Sequence, residues 1–364
     1  MSNIDAKKQW EDYCQSEIDK LMPILHGLGF VLDKEQVHIG GERYVFFNAQ
    51  KLVLLGRRQK DGLPVIIKVG SDAKGREEIK YERQCRQMLE KIKFAYHIFF
   101  SPREILYQET DARVIAITEY IEQESQFLDR SLLDQFFLAL KGLEVQEGAQ
   151  VTTYEHARDI SKHFGVWDSR AYLQKFDQYH RDILDKLSSQ KEVLALYGRA
   201  REFLTSHIEV IDLYSGFLTH WDFVPHNIRV HGNDIYLLDH SSIRFGNKHE
   251  SWARLINFMT LHNPDLARSL LFYMQKNRSD SEISSLRAMR VYRLAEIIWH
   301  YANTLGRAQG DLIALNQERI GLWSKVLSSV LDDISVDEAV IITYKKLRDS
   351  LRSDAEKKRQ ERLH

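Results

Sequence analysis

Between residues 217 and 247 the chain reads FLTHWDFVPHNIRVHGNDIYLLDHSSIRFGN, and four side chains in it could act together: His220, Asp222, Asn227 and Asp239. Asp222 and Asn227 stand five residues apart at the entry to an apolar run, a spacing that can bring one carboxylate and one amide oxygen to a single site. Asp239 follows the apolar run Ile235–Leu238 and so sits at a strand end. Oxygen donors of this kind suit a hard cation such as Mg²⁺, which binds through one or two carboxylates together with substrate phosphates. A remaining carboxylate is free to take a proton from a hydroxyl. Phosphoryl transfer divides the labour in this way, one Asp orienting the nucleophile while an Asn and another Asp hold the metal. Taken singly, the same residues have plainer uses: Asp and Asn bond nearby backbone in turns, and Asp239 could cap a helix.

The elements that must carry these residues can be read around them. Residues 228–240, IRVHGNDIYLLDH, predict strand–turn–strand about Gly232-Asn233. Far upstream, Trp10, Cys14, Ile18, Leu21 and Leu25 recur every three or four residues and predict a helix over 5–26, ended near Gly27 and Gly29. Strands are expected at YVFF (44–47), KLVLLG (51–56) and LPVIIKVG (63–70), the last two joined by a turn containing Asp61-Gly62. A helix is expected over 76–93, then strands at SPREILYQE (101–109) and RVIAITEYI (113–121). The aromatic run FAYHIFF (94–100) reads as packing. After about residue 128 the pattern is mostly helical, and from 251 onward wholly so. The end, YKKLRDSLRSDAEKKRQERLH, reads as a solvated helix because charge fills every face.

HWDFVPHN followed by YLLDH resembles the catalytic and metal-binding motifs of the aminoglycoside phosphotransferase and choline kinase-like superfamily, relatives of the protein kinases. The family loop His-x-Asp-x-x-x-x-Asn is filled in register by His220, Asp222 and Asn227, and its Asp at the end of an apolar strand is matched by Asp239. The resemblance implies Asp222 as catalytic base, Asn227 and Asp239 as Mg²⁺ ligands, and His220 as support of the loop. In the first half, Lys68 in VIIKVG resembles the strand Lys that reaches nucleotide phosphates. Its helix partner would be Glu82, with Glu78 as second choice. ITEYI resembles the connection between lobes, where the backbone of Glu119, Tyr120 and Ile121 would face adenine. The implied fold is α+β and bilobal, a small antiparallel sheet with one main helix over a larger helical lobe. The implied activity is ATP- or GTP- and Mg²⁺-dependent phosphorylation of a small-molecule hydroxyl, on an amino-sugar, sugar or choline-like alcohol. The chain departs from the family pattern at several points. Val224 stands where a His is usual, His226 where a small or basic residue is usual, and His240-Ser241 follow the metal-binding Asp. Ser251 lies near the place of a further Asp, and after Gly40 and Gly41 no glycine occurs until Gly56. These departures keep open a catalytically weak pseudokinase that serves as a binding or scaffold module.

Bulk properties narrow the field. The 364 residues exceed what one core usually serves. Four segments are expected: an N-terminal helical segment (1–35), a nucleotide-binding lobe (36–121), a catalytic and substrate-binding lobe (122–340) and a charged tail (341–364). With 43% hydrophobic and 28% charged residues the chain folds and is not a disordered one. A net charge of −1 supplies no global field for nucleic acid or an anionic membrane, and neither partner is expected. Two cysteines, Cys14 and Cys85, make no disulfide framework and point to a reducing, cytoplasmic setting. The five histidines His220, His226, His231, His240 and His249 raise a rival, a metal-dependent hydrolase, although their spacing is not that of a zinc motif.

Overall fold

The computed structural model describes residues 6–46, 50–92, 100–148, 154–232 and 234–361. Helix α1 (Ala6–Gly27) turns Trp10, Cys14, Leu21 and Leu25 inward, as the stripe predicts. Strand β1 (Phe30–Leu32) then pairs antiparallel with β2 (Lys51–Arg58). Next come β3 (Pro64–Gly70), α2 (Ala73–Lys91), β4 (Glu104–Glu109) and β5 (Val114–Glu119). They complete a five-stranded antiparallel sheet in the order β1-β2-β3-β5-β4. The 44–47 strand is corrected: residues Gly41–Phe46 form a 3₁₀ turn, and Phe47 lies outside the described residues. The edge of β2 is already covered by β1 and by Gln36, whose side chain bonds both the N–H and the C=O of Leu55 at 2.8 Å. With no free edge to join, Tyr44 and Val45 instead fill the core beside Trp10, Leu52 and Leu54.

Period two decides where Lys68 points. Val65, Ile67 and Val69 of β3 are at most 1% exposed and face the core shared with α1. Ile66 and Lys68 therefore project from the other face, toward α2. Most of the FAYHIFF run lies outside the described residues; Phe100 pairs with Tyr236 across the lobes, their rings 5.6 Å apart.

Beyond β5 the chain is helical, with α3 (Leu132–Gly148), α4 (Tyr154–Phe164), α5 (Ser169–Lys186), α6 (Lys191–Ser206) and α7 (Ile208–Leu213). Four short strands interrupt it, β6 (Phe217–His220), β7 (Ile228–His231), β8 (Asp234–Leu237) and β9 (Ile243–Gly246). The β7–β8 hairpin is the expected one; Gly232 adopts φ +56, and Asn233 lies outside the described residues. The β6–β9 pair escapes the sequence reading, because two four-residue strands far apart in the chain carry no joint local signal. Helices α8 (Glu250–His262), α9 (Pro264–Asn277), α10 (Asp280–Thr304), α11 (Asp311–Leu331), α12 (Glu338–Leu351) and α13 (Asp354–Glu361) follow. Their core centres on Trp252, Tyr172, Tyr179, Tyr197 and Tyr292. Among the described residues, no helix is long and apolar enough to cross a membrane.

The tail is helical and largely exposed, as expected, but it is also anchored through one buried residue. Helix α13 does not stand free in solvent. Glu356 is fully buried, accepts from the N–H of Glu42 at 2.9 Å and pairs with Arg359 at 2.8 Å. Charge-rich composition reads as a solvated face, but a buried carboxylate is tolerated where donors surround it.

His249, just before α8, is buried against the Tyr214 ring (5.1 Å), and neither ring nitrogen has a hydrogen-bond partner among the described residues. Burial, followed by the charge of Lys248, pushes its pKa down to about 3. The unfolded chain takes up a proton there near pH 6.5, so native stability falls as pH drops from 6.5 toward 3. The loss should reach about 2 kcal/mol at pH 5. Melting curves at pH 7.5 and 5.5 should show this drop in the wild type and a smaller one in His249→Phe.

Candidate active site

The strand-to-loop turn after β6 holds Asp222. Its Oδ1 accepts from Arg254 Nε at 2.8 Å, and its Oδ2 accepts from Asn227 Nδ2 at 2.9 Å. The same Asn227 nitrogen also donates to the Asp222 carbonyl at 2.9 Å. Both protons of the Asn227 amide are thus committed to Asp222, while its Oδ1 has no donor among the described residues. Burial works against a charge on Asp222, but Arg254 and Arg293 outweigh burial and hold its carboxyl below the usual range. Asp222 is therefore ionised at neutral pH.

Asp239 follows β8. Its Oδ1 and Oδ2 accept from the hydroxyls of Ser241 (2.5 Å) and Ser242 (2.7 Å). Burial is again opposed, here by Lys68 and the two hydroxyls, so this carboxyl too lies below its usual value. It adopts φ +52, one of two non-glycine residues at positive φ among those described, and such backbone strain gathers at functional sites. The backbone ties the two motifs together, because Leu238 N–H donates to Asn227 C=O at 2.9 Å. His220 is fully buried and reaches Leu238 C=O through Nε2 at 3.0 Å, so it braces the strand that delivers Asp239.

From the other lobe, Lys68 Nζ lies 2.5 Å from Glu82 Oε1. Glu78, the alternative partner, pairs with Lys51 at 2.7 Å. Lys68, Glu82, Asn227, Asp239, Glu119, Tyr120 and Ile121 all line one cavity of about 440 Å³ between the lobes. Val53, Ile66 and Ala116 give it an apolar wall. In the connection, the N–H groups of Glu119 and Tyr120 already donate to Arg103 and Pro64 (3.0 and 3.2 Å). Of the three, the Ile121 N–H makes no hydrogen bond among the described residues and is the one open to a base. Asp222 and His220 do not line the cavity; the first joins it through Asn227, and the second lies behind it.

Three residues support the site, and two of them, Arg254 and Gln146, were not singled out from the sequence. Arg254 is the ion partner of Asp222. Gln146 on α3 accepts from the His220 N–H at 2.9 Å and from the Ser251 hydroxyl at 2.6 Å. Ser251, noted as standing where an Asp is usual, also contacts the His220 carbonyl at 3.2 Å, so hydroxyl and amide together brace this backbone. Neither Arg254 nor Gln146 follows from local spacing, since Gln146 lies 74 residues from its partner. Gly142 on α3 admits the loop: a Cβ there would lie 2.7 Å from the Phe223 ring.

Two hard oxygen donors, one anionic and one amide, fit a divalent cation that draws its other ligands from phosphates and water. Each Asp239 oxygen retains lone-pair capacity beyond its serine bond. The histidines do not converge: His220 is spent on Leu238, and His240 bonds Ser101 at 2.8 Å while burial holds its pKa down at about 3. Among the described residues, no three His, Cys, Asp or Glu side chains could jointly hold a metal ion. The histidine-based hydrolase reading thus loses its footing.

No protein-family model matches this chain, and no curated protein matches it in sequence. Solved structures do match in fold. A thermostable mutant of aminoglycoside phosphotransferase APH(4)-Ia in its apo form aligns with TM-score 0.55 and 14% identity over 78% of this chain and 91% of that one. A variant of that mutant in ternary complex with ADP and hygromycin B aligns with TM-score 0.51 and 14% identity, over 78% of this chain and 90% of that one. Another, in complex with AMP-PNP and hygromycin B, reaches 0.54 at 15% identity with the same coverage. At such identity the likeness is one of fold: the chain has the α+β, bilobal, kinase-like architecture of the aminoglycoside phosphotransferases.

Proposed function

We propose that this chain is a Mg²⁺- and ATP-dependent phosphotransferase acting on a hydroxyl of a small molecule. The observation that carries the reading is the convergence of Lys68–Glu82 from the sheet with Asn227 and Asp239 from the helical lobe on one cleft, with ionised Asp222 tied to Asn227. The adenine would lie against Val53, Ile66 and Ala116 with its edge toward Ile121. Lys68 would contact the phosphates, kept in place by Glu82. Asn227 Oδ1 and the Asp239 carboxylate would hold Mg²⁺, which neutralises phosphate charge when bound. Asp222 accepts the acceptor's hydroxyl proton. The new bond joins that oxygen to the γ-phosphorus as the bond to the leaving diphosphate oxygen breaks. Arg254 is a positioning residue that keeps Asp222 charged and oriented.

Behind Asp222, the buried Arg293 that helps keep it ionised is itself paired with Glu250 and Glu296. Sugars, amino-sugars and choline-like alcohols are the acceptors to try.

The test is a panel of such hydroxyl compounds screened for stimulated ADP release with ATP and Mg²⁺. At least one should stimulate the wild type and leave Asp222→Ala silent. A panel that stimulates neither, together with no thermal shift at millimolar ATP and Mg²⁺, would replace the enzyme by the scaffold reading.

A further inference from the structure

The wall of the cavity nearest the β1–β2 connection carries more than the reading above uses. Seven lysines and arginines line the cavity against four carboxylates, a surplus of positive charge in a partly enclosed space. Most of these cations are already committed. Lys51 pairs with Glu78, Lys68 with Glu82, Arg83 and Arg86 with Glu104, and Arg359 with Glu356. Arg229 donates to the backbone carbonyls of His226 and Ile228. Arg43 is different. Its guanidinium makes no hydrogen bond or ion pair among the described residues, and the carboxylate that acts on it, Glu78, is held by Lys51 at 2.7 Å. Burial, then the charge of Arg359, pushes the Arg43 pKa below its ordinary value.

The local backbone explains why a cation stands here. A glycine-rich turn lets phosphates approach backbone N–H groups, but in this chain the one left-handed glycine of the turn is used otherwise. Gly41 has φ +59, and a Cβ there would fall 2.3 Å from Glu356 Oε2 and 2.9 Å from its Cα. Its bareness admits α13. The neighbouring Glu42 is fixed twice, by its N–H to Glu356 and by its carboxylate to Arg319 at 2.8 Å. Lys358 adds a contact to Glu35, and Gln126 bonds the Glu361 carbonyl at 2.9 Å. The C-terminal helix is thereby clamped onto the turn that presents Arg43.

We propose that Arg43 binds the nucleotide's phosphates in place of a glycine-rich loop, and that α13, through Glu356 and Arg359, is an integral wall of the nucleotide site that holds Arg43 in position. This deepens the phosphotransferase reading and rests on it. Arg43 meets phosphate with a planar fork suited to paired contacts, opposite the point charge of Lys68. The uncommitted positive charge also favours the phosphate-rich end of the ligand over the base.

The experiment is calorimetric titration of the full chain with ADP and Mg²⁺, beside melting curves of the ligand-free proteins. Arg43→Ala should weaken ADP binding about tenfold or more while the ligand-free melting temperature stays near that of wild type. Arg43→Lys, which keeps the charge and loses the fork, should recover part of the affinity. Arg359→Ala, which removes the partner of Glu356, should weaken ADP severalfold in the same direction. Wild-type affinity for ADP in Arg43→Ala overturns the inference and leaves the phosphotransferase reading standing. A loss that Arg43→Lys does not restore at all assigns Arg43 a role in packing and also overturns it. If the wild type itself binds no nucleotide, both fall together.

Discussion

Replacing Asp222 by Asn should lower turnover by about two to four orders of magnitude while leaving the affinity for Mg²⁺-nucleotide nearly unchanged. The substitution keeps an oxygen for Arg254 Nε and retains the shape of the loop. It removes the charge that accepts the proton. The distinction matters because Asp222 also has a structural duty, receiving Asn227 Nδ2 at 2.9 Å. Asn227 keeps its second anchor on the Asp222 carbonyl at 2.9 Å, so the amide should stay in place. Steady-state rates with the best acceptor from the panel, set beside ADP titrations, separate the two effects. Equal losses in rate and nucleotide affinity would make Asp222 a structural residue, and an unchanged rate would remove it from the chemistry.

The second large effect concerns Asp239. In the wild type Mg²⁺ should tighten ADP binding, and in Asp239→Asn that tightening should vanish, at a cost of about a hundredfold in affinity with the metal present. Asn tolerates the left-handed backbone at φ +52 better than most residues, so the variant should fold. Its amide can still receive one of the two serine hydroxyls, but it brings no negative charge to the cation. Lys68, which helps keep Asp239 ionised, then loses part of its electrostatic environment. Titrations with and without Mg²⁺ read the effect directly. A variant that responds to Mg²⁺ as the wild type does would place the metal elsewhere.

Much of this site was legible because its chemistry restricts residue type. A carboxylate and an amide five residues apart, and an Asp closing an apolar strand, are marked by residue type and spacing alone. Lys68 was picked out by the resemblance of VIIKVG to the strand Lys of kinase-like folds, and the burial alternation of β3 explains why it projects from the side opposite the core face. The choice between Glu82 and Glu78 was not, since both lie on one face of α2; the 2.5 Å contact to Lys68 settles the pairing. Other features were hidden for a common physical reason. Arg254, Gln146 and the β6–β9 pair meet their partners only after the chain has folded back on itself. The anchoring of the tail was hidden in the same way. A run such as DAEKKRQE has the composition of a solvated helix, and the burial of Glu356 depends on a backbone N–H 314 residues away.

The most direct test is a crystal structure of the wild type grown with AMP-PNP and Mn²⁺, with anomalous scattering used to locate the metal. The account predicts an anomalous peak between Asn227 Oδ1 and the Asp239 carboxylate, with the triphosphate reaching Lys68 and the base against Ile66 and Ala116. Density for nucleotide or metal anywhere else, or none in the cleft at millimolar ligand, would contradict it.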